Sequence, residues 1–323
     1  MTGTPLPHVL AEMWGRMAPR PDLALLFPGQ GSQKVGMGLA LWEASPSARR
    51  LFQEADAILG YPLSQLMFYG TQEALTDTAN AQPAIFVCSL AYLLVAIEAG
   101  LISGRPQLVA GHSLGEYTAL VAAGSLEWEE ALRLVQIRGK LMAQAAEERP
   151  GSMVAVMGLS PAQVEEICQA TGAEVANYNS PQQTVVGGPQ EAIREASRLA
   201  KERGGKAVPL VVSGAFHTSL MDSAAQGLEK ALAQVSIKDA VIPIVGNVTA
   251  AVLTKAHQIY DELKAQLTSP VRWLQGVKCM EQKGISTFLE VGPGQVITGL
   301  VKRCAPHLQA YSLEAQILAG VKT

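Results

Sequence analysis

Residues 108–123 read LVAGHSLGEYTALVAA. The apolar residues 108–110 are suited to a buried strand, and the small residues that follow Gly115 are compatible with a helix. Between these two parts lies the pattern G-x-S-x-G, in which the serine is Ser113. At a strand-to-helix turn, this pattern predicts a nucleophile elbow, which exposes the Ser113 hydroxyl above the N-terminus of the helix. The alternative interpretation is a glycine-rich turn without a chemical role.

Predicted strands and helices alternate on both sides of this turn. A strand over 23–27 leads directly into a loop with one proline and two glycines, Pro28-Gly29-Gln30-Gly31-Ser32-Gln33. Helical patterns are predicted over 51–59, 81–99 and 128–146, and further strands over 108–110, 241–245 and 287–291. This alternation is typical of a mainly parallel sheet covered by helices, in which ligands bind at the carboxyl ends of the strands.

Between residues 150 and 213 the order of elements changes. Strands are predicted over 152–158, 174–177, 184–187 and 207–212, and helices over 161–171 and 191–203. The resulting order, β-α-β-β-α-β, is that of a ferredoxin-like fold. We therefore predict an α/β protein in three parts. They are an N-terminal extension over 1–22, a larger core over 23–149 and 214–323, and a small subdomain over 150–213 inserted into that core.

The composition argues against several classes of protein. With 323 residues, 48% of them hydrophobic, the chain can bury the core of one large domain or of two smaller ones. The net charge of −3 argues against a nucleic-acid-binding protein. The four cysteines lie far apart and form no cluster with histidine, which predicts reduced thiols in the cytoplasm and no zinc site.

No segment is predicted to enter a membrane. The longest apolar candidate, 84–100, is interrupted by Ser89 and Glu98 and is predicted to form a buried helix. The residues before the first strand lack the apolar core of a signal peptide.

A serine hydroxyl is a poor nucleophile at neutral pH and needs a base within hydrogen-bond reach. Among the five histidines, His217 is the candidate, since it lies in a loop that follows a predicted strand. The alternative is a structural histidine. His112 is expected to serve in packing, because neighbouring side chains at a sharp turn point apart. No carboxylate stands out as a third member, and Asp222 is expected to point away, so we predict a Ser–His dyad oriented by a backbone carbonyl.

Arg138 interrupts the apolar stripe of the predicted helix over 128–146. A buried, unpaired guanidinium would cost several kcal/mol, so this side chain requires a partner. Three interpretations stay open: an internal carboxylate pairs with it, a substrate carboxylate pairs with it, or it reaches the rim of the helix face.

Seven motifs of this chain, taken together and in order, resemble those of one known family. They are Leu26-Phe27-Pro28-Gly29-Gln30-Gly31-Ser32-Gln33, Gly111-His112-Ser113-Leu114-Gly115-Glu116-Tyr117, Arg138-Gly139-Lys140-Leu141-Met142, Gly214-Ala215-Phe216-His217-Thr218-Ser219-Leu220-Met221, Asn247-Val248-Thr249, Ser269-Pro270-Val271-Arg272-Trp273 and Glu290-Val291-Gly292-Pro293-Gly294. The family is that of the malonyl-CoA:acyl-carrier-protein transacylases of fatty-acid synthesis, with the related acyltransferase domains of polyketide synthases. The resemblance covers almost the whole chain.

The resemblance implies an α/β-hydrolase-like core with an inserted ferredoxin-like subdomain. It also implies that Ser113 accepts the acyl group and that His217 is the base, oriented by the backbone carbonyl of Gln266. The backbone N–H groups of Gln30 and Leu114 would then form the oxyanion hole.

Arg138 would bind the free carboxylate of a malonyl group. Phe216, which precedes the base, resembles the malonyl-selective form of this loop, so malonyl is expected to be favoured over methylmalonyl.

The implied activity is a ping-pong transfer of malonyl from malonyl-CoA, through a malonyl-serine, to the phosphopantetheine thiol of acyl-carrier protein. The enzyme would be a cytoplasmic monomer without metal or cofactor, and would bind neither nucleic acid nor membrane. The alternatives are an acyltransferase that serves a polyketide synthase, a serine esterase or thioesterase, and a carrier-binding module without activity. Four basic residues are candidates for contact with the acidic carrier: Arg203, Lys206, Lys302 and Arg303.

Overall fold

The structure, a computed structural model, describes residues 6–320. The strands are β1 (Pro19–Phe27), β2 (Arg105–Gly111), β3 (Ser152–Met157), β4 (Glu174–Ser180), β5 (Gln183–Gly188), β6 (Lys206–Pro209), β7 (Ile244–Val245), β8 (Val252–Leu253), β9 (Thr287–Glu290) and β10 (Gln309–Ser312). The helices are α1 (Leu6–Arg16), α2 (Leu39–Ala44), α3 (Pro46–Leu59), α4 (Leu63–Tyr69), α5 (Gln72–Thr76), α6 (Thr78–Glu98), α7 (Gly115–Ala122), α8 (Trp128–Glu148), α9 (Pro161–Thr171), α10 (Gln190–Glu202), α11 (Asp222–Leu232), α12 (Ala256–Gln266), α13 (Trp273–Gln282), α14 (Val296–Cys304) and α15 (Leu313–Gly320). A short 3-10 turn covers Ser219–Met221.

The larger sheet has six strands in the order β10-β9-β1-β2-β7-β8. The first five are parallel to their neighbours, and only β8 runs antiparallel. In the register of β1 and β2, Phe27 lies opposite Gly111. The loop after β1 and the turn after β2 therefore leave the sheet side by side at the same edge, where ligands of open α/β sheets bind.

The second sheet is antiparallel, with the order β4-β5-β3-β6. Helices α9 and α10 pack on it around a separate hydrophobic cluster that includes Val154, Val164 and Ile193. The predicted fold class, a mainly parallel core with a ferredoxin-like insertion, is confirmed. The boundaries of the subdomain, 150 and 213, stay a prediction.

The second sheet is also joined to the core by its backbone. The N–H of Tyr178 donates to the carbonyl of Val271 at 2.9 Å, and the N–H of Val271 donates to the carbonyl of Ala176 at 2.9 Å. These two bonds form a parallel bridge between Asn177 of β4 and Val271, just before α13.

Two predicted strands are shorter in the structure. The strand expected over 241–245 reduces to Ile244–Val245, because Pro243 has no N–H to donate to a ladder. The strand expected over 207–212 ends at Pro209. The residues after it leave the sheet, and the Val211 side chain is 90% exposed.

The N-terminal boundary also differs from the prediction. Strand β1 begins at Pro19, so the extension predicted over 1–22 overlaps this strand; two prolines at positions 19 and 21 hide its start in the sequence. In α1, the indole N–H of Trp14 donates to the carbonyl of Ala122 at 2.8 Å, and Trp14 is buried in the main core. Trp14 therefore attaches α1 to the core and residues 19–22 belong to β1, while positions 1–5 of the predicted extension lie outside the described residues.

Helix α6 crosses the centre of the main core. Within the described residues it is the one helix long and apolar enough to cross a membrane, yet 89% of its most apolar window is buried inside the fold. The expected buried helix over 84–100 is thus confirmed within α6.

Candidate active site

The elbow forms as predicted between β2 and α7. The turn is too tight for a side chain at positions 111 and 115, and glycine has none. A Cβ on Gly111 would lie 1.9 Å from the carbonyl carbon of Gly115. A Cβ on Gly115 would lie 2.1 Å from the carbonyl oxygen of Phe27. Ser113, at the apex, has a φ of 52°, in the left-handed region. The turn therefore holds the serine at the edge of the sheet, above the N-terminus of α7.

His217 lies beside this serine. Its Nε2 atom is 2.7 Å from the Ser113 Oγ, and its Nδ1 atom is 2.9 Å from the backbone carbonyl oxygen of Gln266, the last residue of α12. Because a carbonyl oxygen only accepts, Nδ1 carries the hydrogen and Nε2 is free to accept the serine proton. Asp222, at the start of α11, instead faces Arg149 at 3.7 Å on the surface. The imidazole is thus oriented by a carbonyl rather than by a carboxylate.

The electrostatic setting keeps this imidazole neutral. Burial, together with the positive charge of Arg138, lowers the pKa of His217 to about 3, and its contact with the Gln266 carbonyl only partly opposes that shift. At neutral pH the imidazole is therefore unprotonated and able to act as a base.

Arg138 of α8 is 1% exposed, so the interpretation that it reaches the rim is wrong. Its Nη1 donates to Gln82 Oε1 at 2.7 Å, and its Nη2 donates to Gln266 Oε1 at 2.9 Å. Nη2 also lies 3.1 Å from the Ser113 Oγ. Among the described residues no carboxylate forms a salt bridge with this guanidinium, and its Nε has no hydrogen-bond partner. The interpretation of an internal carboxylate in direct contact is therefore wrong as well.

Two residues that line the cleft have backbone N–H groups without a partner in the described part of the chain. The N–H of Ser113 is occupied by Asn247 Oδ1 at 2.7 Å. In contrast, the N–H groups of Gln30 and Leu114 have no hydrogen-bond partner within residues 6–320. The Gln30 side chain donates to Thr78 Oγ1 at 3.2 Å, which ties its loop to the start of α6. This arrangement leaves both N–H groups available to a ligand oxygen.

These groups line one cleft of about 280 Å³ between the two sheets. The core contributes the serine, the histidine, the arginine and Phe216, and the small subdomain contributes Met153, Asn177 and residues 210–212. One cleft therefore holds a nucleophile, a neutral base, two N–H donors without a partner and a buried cation. These groups can carry out acyl transfer to and from the serine.

Other predicted residues lie outside this chemistry. His112 packs its ring 5.5 Å from that of Trp273, and its Nε2 is 2.9 Å from Asn179 Oδ1. None of the four basic residues predicted for the carrier lines the cleft. Arg203 pairs with Glu166 at 2.7 Å, and Arg303 contacts Gln183 at 3.1 Å. Their role in carrier binding stays a prediction.

Sequence reasoning missed three polar residues that hold the site. Gln82 contacts Arg138, Asn247 contacts Ser113, and Glu116 contacts both Asn247 and Gln266. The signal for Gln82 is a single glutamine within the otherwise apolar stretch 81–88 of α6. Asn247 and Glu116 lie in motifs that carried the family resemblance, but the sequence alone assigned neither residue a role.

Comparisons with known proteins agree with this geometry. Residues 24–318 match the acyl transferase domain family. A malonyl CoA-acyl carrier protein transacylase from Bacillus subtilis is 43% identical over 297 residues, which cover 90% of this chain and 93% of that protein.

Solved structures give the same result. The malonyl CoA-acyl carrier protein transacylase from Coxiella burnetii superposes with a TM-score of 0.89 at 39% identity, covering 95% of this chain and 98% of that one. A malonyl-transacylase in complex with a type II polyketide acyl-carrier protein superposes with a TM-score of 0.88 at 38% identity, covering 93% and 99%. The chain is an acyltransferase and belongs to the family of the malonyl CoA-acyl carrier protein transacylases.

Proposed function

We propose that this chain transfers a malonyl group from malonyl-CoA to the phosphopantetheine thiol of an acyl-carrier protein, for fatty-acid synthesis, through a malonyl ester on Ser113. The observation that carries this proposal is the position of Arg138. Within residues 6–320, this buried guanidinium donates to two neutral amides and to the nucleophilic oxygen of Ser113, which lies 3.1 Å away. It matches an acyl group whose carboxylate is one methylene away from the reacting carbonyl, as in malonyl.

In the first half-reaction, the Ser113 Oγ attacks the thioester carbonyl and its proton moves to His217 Nε2. The N–H groups of Gln30 and Leu114 stabilise the tetrahedral oxyanion, and each such donor is worth about 3 kcal/mol of barrier. When the C–S bond breaks, His217 returns the proton to the CoA sulfur. Malonyl remains as an ester on the serine, with its carboxylate on Arg138.

The second half-reaction runs in reverse with a different thiol. His217 accepts the proton of the carrier's phosphopantetheine thiol, the sulfur attacks the ester carbonyl, and the proton returns to Ser113 Oγ as the C–O bond breaks. Each proton has a named donor and acceptor in this chain or its substrates, so the proposal requires no metal or organic cofactor.

The proposal extends to the setting of the enzyme. Nucleophile, base, cation and both donors come from one chain, which supports action as a monomer. All four cysteines are free, which fits the cytoplasm. Phe216 lines the cleft next to His217, and we propose that its ring limits the space for a methyl branch on the acyl group.

Intact-protein mass after brief exposure to malonyl-CoA, for the natural chain and for Ser113→Ala, tests the function. The expected result is a malonyl adduct on the natural chain alone, which added holo-carrier protein removes. Continuous release of CoA without a persistent adduct would favour a thioesterase. A thioesterase for uncharged acyl groups gives no reason for a cation beside the serine, whereas transfer of malonyl does.

A further inference from the structure

Glu116 is a buried carboxylate that the proposed chemistry does not use. It lies in the first turn of α7 and is 1% exposed. One carboxylate oxygen accepts the backbone N–H of Asn247 at 3.0 Å, and the other accepts the side-chain amide of Gln266. Its contacts therefore reach two separate parts of the core, the turn after β7 and the end of α12.

The hydrogen-bonding capacities of the partners fix this arrangement. A guanidinium only donates, so the Gln266 Oε1 must face Arg138. Gln266 Nε2 then faces Glu116 and the carbonyl of Ser113, which it reaches at 3.1 Å. The backbone N–H of Asn247 also only donates, so both oxygens of Glu116 accept, although burial and the neighbouring charge of Glu262 raise the pKa of this carboxyl.

Each contact leads on to a reacting group. Asn247 Oδ1 accepts the N–H of Ser113 at 2.7 Å, and its Nδ2 donates to the carbonyl of Gly111 at 2.7 Å, which fixes the elbow. The backbone carbonyl of Gln266 orients His217, and its side chain holds Arg138. A single carboxylate thus joins the supports of nucleophile, base and cation.

We infer that Glu116 is a positioning residue, whose carboxylate holds the Gln266 amide in the one orientation that keeps the Arg138 guanidinium beside Ser113. This role rests on the proposed function in so far as Arg138 binds the malonyl carboxylate. It differs from an ordinary structural role because it acts on acyl-group selection as well as on rate.

Glu116→Gln is the direct test, because the substitution keeps the size of the side chain and replaces one acceptor by an NH₂ donor. That donor would face either Gln266 Nε2 or the Asn247 N–H, both of which only donate, so the Gln266 amide could satisfy it only by turning its Oε1 away from Arg138. Glu262→Gln is the matched control. Glu262 is also buried, and its charge lies close enough to raise the pKa of the Glu116 carboxyl, but it accepts from Val248 N, from Thr249 N at 3.2 Å and from Thr249 Oγ1 at 2.8 Å, with no contact to Gln266. Glu262→Gln therefore removes a neighbouring buried carboxylate and leaves the partners of the Gln266 amide in place.

Three rates are measured for each chain: acylation by malonyl-CoA, acylation by acetyl-CoA, and modification of Ser113 by a small sulfonyl fluoride. For Glu116→Gln, we expect malonyl acylation to fall by about 100-fold and the malonyl-to-acetyl ratio to fall by at least about tenfold. Glu262→Gln should keep that ratio within about threefold of the natural chain, whatever its loss of thermal stability. An unchanged ratio in Glu116→Gln, or an equal fall in both variants, would overturn the inference.

A second variant covers the case in which Glu116→Gln does not fold. Gln266→Met removes the amide and keeps the backbone carbonyl that orients His217. It should lower the malonyl-to-acetyl ratio by at least about tenfold, while continued modification of Ser113 by the sulfonyl fluoride, at whatever rate, shows that the variant is folded. A retained ratio in this variant contradicts the positioning role. If the natural chain reacts with the sulfonyl fluoride but with no acyl-CoA, the proposed function fails, and the Glu116 contacts are then tested by the sulfonylation rates of Glu116→Gln and Glu262→Gln alone.

Discussion

The Nε2 atom of His217 lies 2.7 Å from the Oγ of Ser113. Both residues have left-handed backbone angles, with φ values of 60° for His217 and 52° for Ser113. Residues other than glycine rarely adopt this region, and each such residue costs about 1–3 kcal/mol. Contacts around the pair must therefore hold it in place. Asn247 does so for the serine, and the carbonyl of Gln266 does so for the histidine.

The strain at Ser113 predicts an unusual order of stabilities. Ser113→Gly and Ser113→Ala should both lose the malonyl adduct, but the glycine variant should be the more stable by about 0.5–1 kcal/mol, because glycine adopts a positive φ without steric cost. Urea unfolding of both variants measures this difference. Gly299→Ala in α14, where a Cβ meets open space, is the control and should instead gain about 0.5–1 kcal/mol. An alanine variant at 113 as stable as the glycine variant would contradict the strained backbone.

The low pKa of His217 predicts how stability depends on pH. The pKa is about 3 in the folded chain and about 6.5 when unfolded, so the unfolded state binds the proton first as the pH falls. The contribution of the neutral His217 imidazole to the free energy of unfolding is therefore fully present above pH 6.5 and is lost progressively as the pH falls toward 3. Between pH 8 and pH 5, the free energy of unfolding measured in urea should therefore fall less in His217→Gln than in the natural chain. Burial also lowers the pKa of His112, so the free energy of unfolding of the variant should still fall in part.

The same pKa predicts the pH profile of acylation. Because the base is already unprotonated, the rate of adduct formation with malonyl-CoA should change little between pH 8 and pH 5. Rapid-quench mass measurements across this range test the prediction. An acid limb with a midpoint near pH 6.5 would show that the imidazole is solvated rather than buried.

Arg138 is expected to determine acyl-group selection. Arg138→Met should lower acylation by malonyl-CoA by about 10–100-fold, the value of a hydrogen bond to a charged group, and leave acylation by acetyl-CoA within about tenfold. Competition between the two CoA esters measures the ratio. Arg133→Met is the control on the same helix, since Arg133 is exposed and contacts only the carbonyl of Ile58 at 3.2 Å. A ratio that falls equally in both variants would rule out a specific role.

Helix α1 is expected to stabilise the core. Trp14 is 1% exposed, so Trp14→Ala should cost about 3–5 kcal/mol in the free energy of unfolding. Glu12→Ala, on the exposed face of the same helix, removes only a surface pair with Arg16 at 3.6 Å and should change stability by less than about 0.5 kcal/mol. Thermal unfolding of the two variants compares them directly, and equal midpoints would show that α1 contributes nothing.

Local patterns in the sequence predicted the reacting pair and most elements. The elbow depends on residues that are adjacent in the chain, so its glycines and Ser113 were visible at once. Helix α9, with proline at its first position, was predicted to the residue. The start of β1 was missed because Pro19 and Pro21 are atypical of strands, and its pairing with Arg105 is a long-range property.

The partners of Arg138 show where sequence reasoning stopped. The pattern indicated a buried cation that needs a partner, but charge arguments favour a carboxylate. The structure instead supplies two neutral amides, from Gln82 and Gln266, which lie 56 and 128 residues away in the chain. Only the packing of three helices brings these groups together, and no local spacing records that packing.

The backbone bridge between Asn177 and Val271 has a mechanical consequence. It clamps one wall of the cleft to the core through two hydrogen bonds that resist sliding and separation together. Residues 210–212 form another part of the wall, after β6. The last backbone hydrogen bond of the small sheet there joins Leu210 N to Met153 O at 3.0 Å, and the Val211 side chain that follows is exposed. The two edges of the small sheet are thus held to the core in different ways, by backbone hydrogen bonds at β4 and by the apolar side chains of Leu210 and Val212 after β6.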